Sequence, residues 1–331
     1  MVKLNRRIAA LKPSATMAAE ARATELRAAG INVISLAAGE PDFDTPERIK
    51  AAARKAMADG LTKYTPVTGY RALKDAISAK LMRDNGLEYE AGEIIVSAGG
   101  KQAAANIMAC LFDEGDEVII PTPAWVSFAA MVQLSGATAK FVRCAEKNGF
   151  LLTPGELHQA MTPRTRGIIL NSPSNPTGAI YGSEELAALA HVLRDSDIWV
   201  MSDDVYENIV YDGPAPHVFK IEPSLKSHGI VLNSVSKTYA MTGWRIGFAA
   251  APREVVGAAN RLQGQNSGNA CSIAQAAAIE AYNGPQDDVK AMVAEFRARR
   301  SLVVERVRAL DGFKLPNVPR GAFYVFPNVS G

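Results

Sequence analysis

The chain has 331 residues, of which 48% are hydrophobic, so it can bury a large core and we expect two lobes. Its 36 basic and 34 acidic residues give a formal net charge of +2 and form no basic stripe, which argues against nucleic acid as a partner. No apolar run is as long as a membrane span and no signal-peptide pattern opens the sequence, so we expect no membrane partner and a cytoplasmic location.

The N-terminal part of the chain shows helix patterns separated by short apolar runs. An alanine-rich pattern predicts a helix over Ser14–Ala29, and the next apolar run predicts a strand over Asn32–Leu36. Thr45 and Pro46 indicate a helix start, because threonine can cap and proline at the first helical position gives up no needed donor; this helix should end near Gly60. The alternation continues along the chain and predicts a doubly wound α/β body.

A glycine turn follows the next predicted strand. The strand covers Glu93–Val96, and the run Gly99–Gln102 after it opens a helix. Free backbone amides and the positive end of the helix dipole suit a phosphate group at this place. On this motif alone a plain strand-helix turn is the simpler reading, since the Walker pattern is absent.

Three later strands lead into polar residues. These strands are predicted over Ile168–Leu170, Ile198–Met201 and Gly229–Asn233. Ligands collect at the carboxyl ends of the strands in an open parallel sheet. We therefore expect the three polar ends to converge on one crevice.

The third of these ends combines a potential nucleophile with phosphate-binding groups. Lys237 can hold an aldehyde cofactor as a Schiff base, and the hydroxyls of Ser234 and Ser236 can donate to a phosphate. Arg245 adds a planar fork that suits phosphate oxygens. The pattern predicts pyridoxal phosphate as the cofactor and Lys237 as the catalytic residue. No metal is expected, because the three cysteines and four histidines show no metal-ligand spacing.

The chain resembles the fold-type I, class I aminotransferases, and most closely the bacterial aspartate aminotransferase subgroup that includes enzymes acting on prephenate. The likeness runs from about Lys12 to the C-terminus. It rests on ordered matches at Lys12–Thr16, Ala38–Pro46, Lys63–Pro66, Gly99–Gln102, Trp125–Ser127, Asn175–Gly178 and Ala240–Gly247. The resemblance implies an α/β large domain, with a mostly parallel sheet between helices, and a smaller domain.

The resemblance also implies roles around the cofactor. Asp203 would keep the ring nitrogen protonated, while Tyr206 and Asn175 would bond the phenolic oxygen. Trp125 would cover the ring. The remaining cofactor-binding residues are those that offer backbone amides, hydroxyls or cations, namely Gly100, Lys101, Ser234, Ser236 and Arg245.

Further roles concern the substrate and a second subunit. The implied substrate-binding residues are Gly39, Trp125, Asn175, Lys12 and Lys101. Lys101 would hold the side-chain carboxylate of aspartate or glutamate, and Lys12 would favour a bulkier dicarboxylic acid such as prephenate. Tyr64 corresponds to a residue that reaches the phosphate bound by the neighbouring subunit, which implies a homodimer with shared active sites.

The implied domain order is an N-terminal segment over residues 1–45, a large cofactor domain over 46–290 and the start of a small domain over 291–331. Relatives continue into a stretch with the arginine that clamps the substrate's α-carboxylate, so the small domain is expected to be incomplete. The implied reaction moves an amino group between aspartate or glutamate and 2-oxo acids, among them oxaloacetate, 2-oxoglutarate and prephenate. Two alternatives stay open: another reaction of the same cofactor, such as β-elimination, and a non-catalytic pyridoxal phosphate-binding domain.

Overall fold

The computed structural model describes residues 2, 5–13, 15–36 and 39–330, apart from the side chains of residues 15–17. Ser14 and Ala38, which belong to motifs quoted above, lie outside the described residues. The strands are β1 (Ile94–Ser97), β2 (Glu117–Thr122), β3 (Thr138–Arg143), β4 (Thr165–Asn171), β5 (Trp199–Asp203), β6 (Gly229–Ser234) and β7 (Gly247–Ala250). Among the described residues they form one seven-stranded sheet in the order β1-β7-β6-β5-β4-β2-β3.

The sheet is mostly parallel, as the resemblance implied. The neighbours from β6 through β5, β4 and β2 to β3 are parallel, and β7 runs antiparallel to both β1 and β6. Consecutive residues of one strand pack into different hydrophobic clusters: Ile168 and Val200 lie in one, and Ile169 and Met201 lie in the other. Because side chains alternate along a strand, both faces of the sheet are covered, which explains the continuous apolar runs in the sequence.

Helices cover both faces of the sheet and extend to the C-terminal part of the chain. They are α1 (Arg6–Ala9), α2 (Ala15–Ala28), α3 (Glu47–Ala58), α4 (Arg71–Lys80), α5 (Gly100–Leu111), α6 (Ser127–Ser135), α7 (Pro154–Ala160), α8 (Ser183–Leu193), α9 (Val218–Ile221), α10 (Val235–Thr238), α11 (Arg253–Asn266), α12 (Ser272–Asn283) and α13 (Asp287–Arg308). In the part of the chain that the structure describes, no helix is long and apolar enough to cross a membrane.

One of the predicted strands is absent. Residues 31–36 form no strand, and Ile34 and Leu36 are 85% and 94% exposed. An apolar run predicts a strand only where a neighbouring strand accepts its backbone hydrogen bonds, and this segment pairs with none in the described chain. The strand predicted over Asn32–Leu36 is therefore wrong.

The predicted cap of α3 is also wrong. Pro46 is the N-cap residue of this helix, and no side chain caps it. The hydroxyl of Thr45 instead donates to the carbonyl of Ala240 at 2.7 Å and accepts from Nε1 of Trp244 at 3.0 Å. Both partners come from the loop after α10, so Thr45 ties that loop to the start of α3.

A small third cluster joins the C-terminal part of the chain to the end of the sheet. Tyr206 and Ile209, which follow β5, pack with Phe296 of α13. The amide of Ala322 donates to the carbonyl of Ile209 at 2.8 Å. This bond fixes the residues that follow Ala322 beside the carboxyl ends of the strands.

Candidate active site

The carboxyl ends of β4, β5 and β6 converge on one cavity, as the sequence predicted. The three strands are parallel neighbours, and Asn171 at the end of β4 is paired with Asp203 at the end of β5. The cavity has a volume of about 430 Å³, within the range of about 300 to 1,000 Å³ that is usual for small-molecule sites. Its lining includes the predicted residues Gly39, Gly100, Lys101, Trp125, Asn175, Asp203, Tyr206, Ser234, Ser236, Lys237 and Arg245.

Lys237 reaches the cavity from a one-turn helix. It lies on α10, directly after β6, and its Nζ donates to the backbone carbonyl of Gly39. The pKa of the Lys237 amine is lowered to about 8, chiefly by burial; the charge of Glu40 opposes this change and the charge of Arg245 adds to it. The amine therefore loses its proton far more readily than an exposed lysine does, and an unprotonated amine can act as a nucleophile or as a base.

Asp203 ends β5 as a buried carboxyl group. It is 7% exposed, and its Oδ1 accepts a hydrogen bond from the backbone amide of Val205 at 3.3 Å. The pKa of Asp203 is raised to about 7, chiefly by burial and also by the charge of the neighbouring Asp204. A carboxyl group with so high a pKa gains from a positive partner in the cavity.

One part of the cavity offers an anion-binding arrangement. The hydroxyl of Ser234 accepts from the amide of Ser236 at 3.3 Å, so both hydroxyl-bearing residues lie together at the end of β6. Gly100 begins the twelve-residue helix α5, where backbone amides are free and the helix dipole is positive. The guanidinium of Arg245 is held there by the carbonyls of Thr242 at 2.7 Å and Ala98 at 3.4 Å.

Close packing of backbone fixes the start of α5. A Cβ atom on Gly247 of β7 would lie 2.2 Å from the amide nitrogen of Gly100. A Cβ atom on Gly99, whose φ is +91°, would lie 2.3 Å from a guanidinium nitrogen of Arg245. These glycines allow strand, turn and arginine to approach one another, which places the guanidinium beside the first turn of the helix.

Lys101 and Trp125 form a second contact in the cavity. The ammonium of Lys101 lies 5.0 Å from the centroid of the Trp125 ring, a cation–π distance, and Trp125 itself packs edge-on against Phe128. Burial lowers the pKa of Lys101, and the charge of Arg245 lowers it further. The cavity therefore holds three cationic side chains, Lys101, Lys237 and Arg245, which favours an anionic ligand.

Sequence reasoning missed Tyr324 as a site residue. Its hydroxyl lies 2.5 Å from the hydroxyl of Tyr206 and accepts from Nδ2 of Asn175 at 3.3 Å. Burial is the largest cause of the raised pKa of Tyr206, and its contact with Tyr324 adds to it. Nothing in the sequence around Tyr324 indicates contact with residues more than a hundred positions away.

Two of the predicted site residues lie outside the cavity. Lys12 is exposed and does not line it, and Tyr64 is 97% exposed. Contacts of Lys12 with substrate and of Tyr64 with a second subunit therefore stay predictions. Among the described residues, no group of three or more histidine, cysteine, aspartate or glutamate side chains could hold a metal ion.

Comparison with known proteins decides the family. The model of the class I and II aminotransferases matches residues 31–331. The chain belongs to this family. The match does not favour the alternative of a non-catalytic domain or of another reaction, and the chain is an enzyme of the aminotransferase class. Pyridoxal phosphate is the cofactor of class I aminotransferases.

Curated and solved relatives cover nearly the whole aminotransferase chain. It is 49% identical to an aspartate aminotransferase of Geobacillus stearothermophilus over 329 residues, which is 99% of this chain and 83% of the relative. It is 50% identical over 337 residues to an aspartate/prephenate aminotransferase of Cereibacter sphaeroides, which is 100% of this chain and 83% of the relative.

Two solved structures share the fold. The aspartate aminotransferase from Rhizobium meliloti superposes with a TM-score of 0.96 at 45% identity, covering 100% of this chain and 83% of the other. The Thermus thermophilus aspartate aminotransferase with maleate superposes with a TM-score of 0.92 at 42% identity, covering 97% of this chain and 84% of the other. These likenesses confirm the fold-type I α/β architecture.

Proposed function

We propose that this aminotransferase holds pyridoxal phosphate in the cavity and moves amino groups between aspartate or glutamate and 2-oxo acids. The observation that carries the proposal is the place of Lys237: an amine with a pKa of about 8 shares one cavity with the carboxyl of Asp203 and the guanidinium of Arg245. When bound, the cofactor would supply an aldehyde that carries the amino group and a ring that accepts electrons from the substrate's α-carbon.

The chemistry of the cavity fits this cofactor. Asp203 would face the protonated ring nitrogen, since its buried carboxyl gains from a positive partner. Tyr206 and Asn175 would donate to the phenolic oxygen, and the Trp125 ring would lie on the ring face. The phosphate would bind the groups that make up the anion-binding part, Gly100, Lys101, Ser234, Ser236 and Arg245.

Lys237 would move the proton in the reaction. Its Nζ would be a base of suitable strength to take the proton from the substrate's α-carbon. The carbonyl of Gly39, which accepts a hydrogen bond from this Nζ, would keep the amine turned toward the substrate. Enclosure of the amine also limits its contact with water, which strengthens its interactions with charged ligands.

Lys101 is the proposed partner of a second substrate carboxylate. It lines the cavity, and its ammonium stands over the Trp125 ring, where a dicarboxylate could reach it. Two relatives are named for aspartate, and the Thermus thermophilus structure was solved with maleate, which is a dicarboxylate. Lys12 would add a contact for a bulkier acid such as prephenate. Gly39 would meet a substrate carboxylate through its backbone amide.

We further propose a homodimer with shared active sites, in which Tyr64 serves the cofactor of the second subunit. Tyr64 projects from a segment that is anchored from behind: Gln275 donates to the hydroxyl of Thr65 at 3.1 Å and accepts from the amide of Tyr70 at 2.7 Å. An almost fully exposed aromatic side chain on an anchored segment suits a contact with a partner. The domain limits given above and a cytoplasmic location belong to the same proposal.

Borohydride reduction tests the attachment of the cofactor. After incubation with pyridoxal phosphate, reduction and peptide mapping should find the tag on Lys237. Lys101→Ala should keep the tag on Lys237, whereas Lys237→Ala should carry none in the cavity. A tag on another lysine of the wild-type chain would contradict the site.

A half-reaction assay tests the substrate class. Aspartate and alanine are added separately to the holoprotein, and conversion to the pyridoxamine form is followed by absorbance. Lys101→Ala should slow the conversion with aspartate much more than with alanine, because only aspartate carries the second carboxylate. Equal losses for both amino acids would remove the dicarboxylate assignment.

A further inference from the structure

A buried polar group lies directly behind Asp203. Asp204 is 5% exposed, and each of its carboxylate oxygens is bonded: Oδ1 accepts from the hydroxyl of Ser202 at 2.7 Å, and Oδ2 lies 3.0 Å from Nε2 of His217. Ser202 and Asp204 are two residues apart at the end of β5, so they point to the same side, and Asp203 between them points to the other. Asp203 lines the cavity, whereas neither Ser202, Asp204 nor His217 does.

The hydrogen bonds of His217 define the charge of this group. Its Nδ1 accepts from the backbone amide of Phe219 at 3.1 Å, so Nδ1 carries no proton. The ring proton then sits on Nε2 and is donated to Asp204, which leaves the imidazole neutral. With two donors and no proton of its own, the Asp204 carboxylate is satisfied in its ionised form, and the group carries one negative charge.

No basic side chain compensates this charge. Across residues 39–330 neither Asp203 nor Asp204 forms an ion pair with a lysine or arginine. Besides Asp203, the hydroxyl of Tyr89 is affected by Asp204, whose charge contributes to the raised pKa of that hydroxyl. In this part of the chain, two adjacent buried carboxyl groups are thus left without a lysine or arginine in direct contact. Such a pair strongly favours a cation at the accessible member, which is Asp203.

We propose that Asp204, held by Ser202 and His217, is a positioning residue that acts through Asp203 to select a cofactor with a protonated ring nitrogen. This inference rests on the proposed function, because it assumes that pyridoxal phosphate binds beside Asp203. The raised pKa of Asp203, to which the charge of Asp204 contributes, agrees with it. Asp204 needs no contact with the cofactor, since its charge acts through the low-dielectric interior.

The test compares two ligands that differ in one ring atom. The cofactor-free protein is titrated with pyridoxal phosphate and with the analogue in which CH replaces the ring nitrogen, and both dissociation constants are measured. At an effective dielectric of about 20, Coulomb's law gives a preference on the order of 10- to 100-fold for a charge that lies near the ring nitrogen without touching it. Asp204→Asn keeps the shape of the side chain and removes the charge, so it should weaken binding of pyridoxal phosphate by about 10- to 50-fold and leave the analogue within about threefold.

Two further variants separate charge from structure. Ser202→Ala removes a hydrogen bond and keeps the charge, so the ratio of the two dissociation constants should stay at the wild-type value. If Asp204→Asn does not fold, the double variant Asp204→Leu, His217→Leu replaces the buried pair by apolar side chains, which proteins often tolerate, and should lose the same preference.

The outcomes are distinct. A structural role for Asp204 alone would weaken both ligands equally and leave the ratio unchanged, which would overturn the inference. Failure of the wild-type protein to bind either ligand would overturn the proposed function itself. If the wild-type protein binds both ligands equally well, the proposed cofactor binding stands, but the inference that Asp204 selects a protonated ring nitrogen is overturned.

Discussion

Replacement of Lys237 by methionine should stabilise the cofactor-free protein at neutral pH. The pKa of this amine falls from an ordinary value of 10.5 to about 8, chiefly because the amine is buried. At about 1.36 kcal/mol per pKa unit, the folded state disfavours the charged amine by about 3 kcal/mol. Methionine has a similar length and no charge, so Lys237→Met should raise the free energy of unfolding by about 2 to 3 kcal/mol, less the hydrogen bond to the Gly39 carbonyl.

The gain should depend on pH in a defined direction. Below pH 8 both folded and unfolded chains carry the protonated lysine, so the full cost of the buried charge is present. Between pH 8 and 10.5 the folded chain releases the proton while the unfolded chain keeps it, and the wild-type protein becomes more stable relative to the variant. The difference between the two proteins should therefore shrink to below about 1 kcal/mol at pH 10.

Urea unfolding of both cofactor-free proteins at pH 7 and pH 10, at one protein concentration, measures this difference. Lys147→Met is the matched control, because Lys147 is exposed and its replacement should change stability by less than about 0.5 kcal/mol at either pH. Equal stability of wild type and Lys237→Met at pH 7, or an advantage that persists unchanged at pH 10, would refute the reasoning from burial.

Two other substitutions test the packing and the hydroxyl contacts of the site. Gly247→Ala brings a Cβ atom to 2.2 Å from the backbone at the start of α5. Thermal unfolding should therefore show that the free energy of unfolding falls by at least about 1 to 3 kcal/mol, and phosphate should bind more weakly. The control is Gly257→Ala, whose Cβ meets only a side-chain atom at 3.9 Å and which should be neutral or stabilising. Tyr324→Phe removes the hydroxyl beside Tyr206 and should lower kcat/KM about 2- to 12-fold, whereas Tyr211→Phe, away from the cavity, should change stability and not the rate constant. Unaltered turnover in Tyr324→Phe would mean that this contact serves packing alone.

The central sheet could be predicted because its signal is local. Runs such as Ile168–Leu170 and Gly229–Asn233 are apolar on both faces, and the structure places both in strands covered on both sides. The rule that ligands gather at the carboxyl ends of parallel strands then brought Asp203 and Lys237 into one cavity. The site was thus predictable wherever a polar residue directly follows a strand.

The errors and omissions have a different physical origin. Threonine is a residue type that commonly caps helices, yet the hydroxyl of Thr45 bonds a loop almost two hundred residues away. Tyr324 contacts Tyr206 because the C-terminal segment folds back on the residues after β5. No pattern in the sequence near either residue predicts this contact. The same holds for His217, which directly precedes α9 and bonds Asp204, the residue after β5. Contacts between distant segments are decided by tertiary packing.

The anchoring of the Tyr64 segment by Gln275 has a thermodynamic consequence. Fixing the backbone of one residue costs about 1 to 2 kcal/mol of conformational entropy. Gln275 is fully buried and bonds both Thr65 and Tyr70, so this cost is already met when the single chain folds. Docking of a second copy at Tyr64 would then require little ordering of the segment, and association should proceed close to rigid-body fashion with little change in backbone.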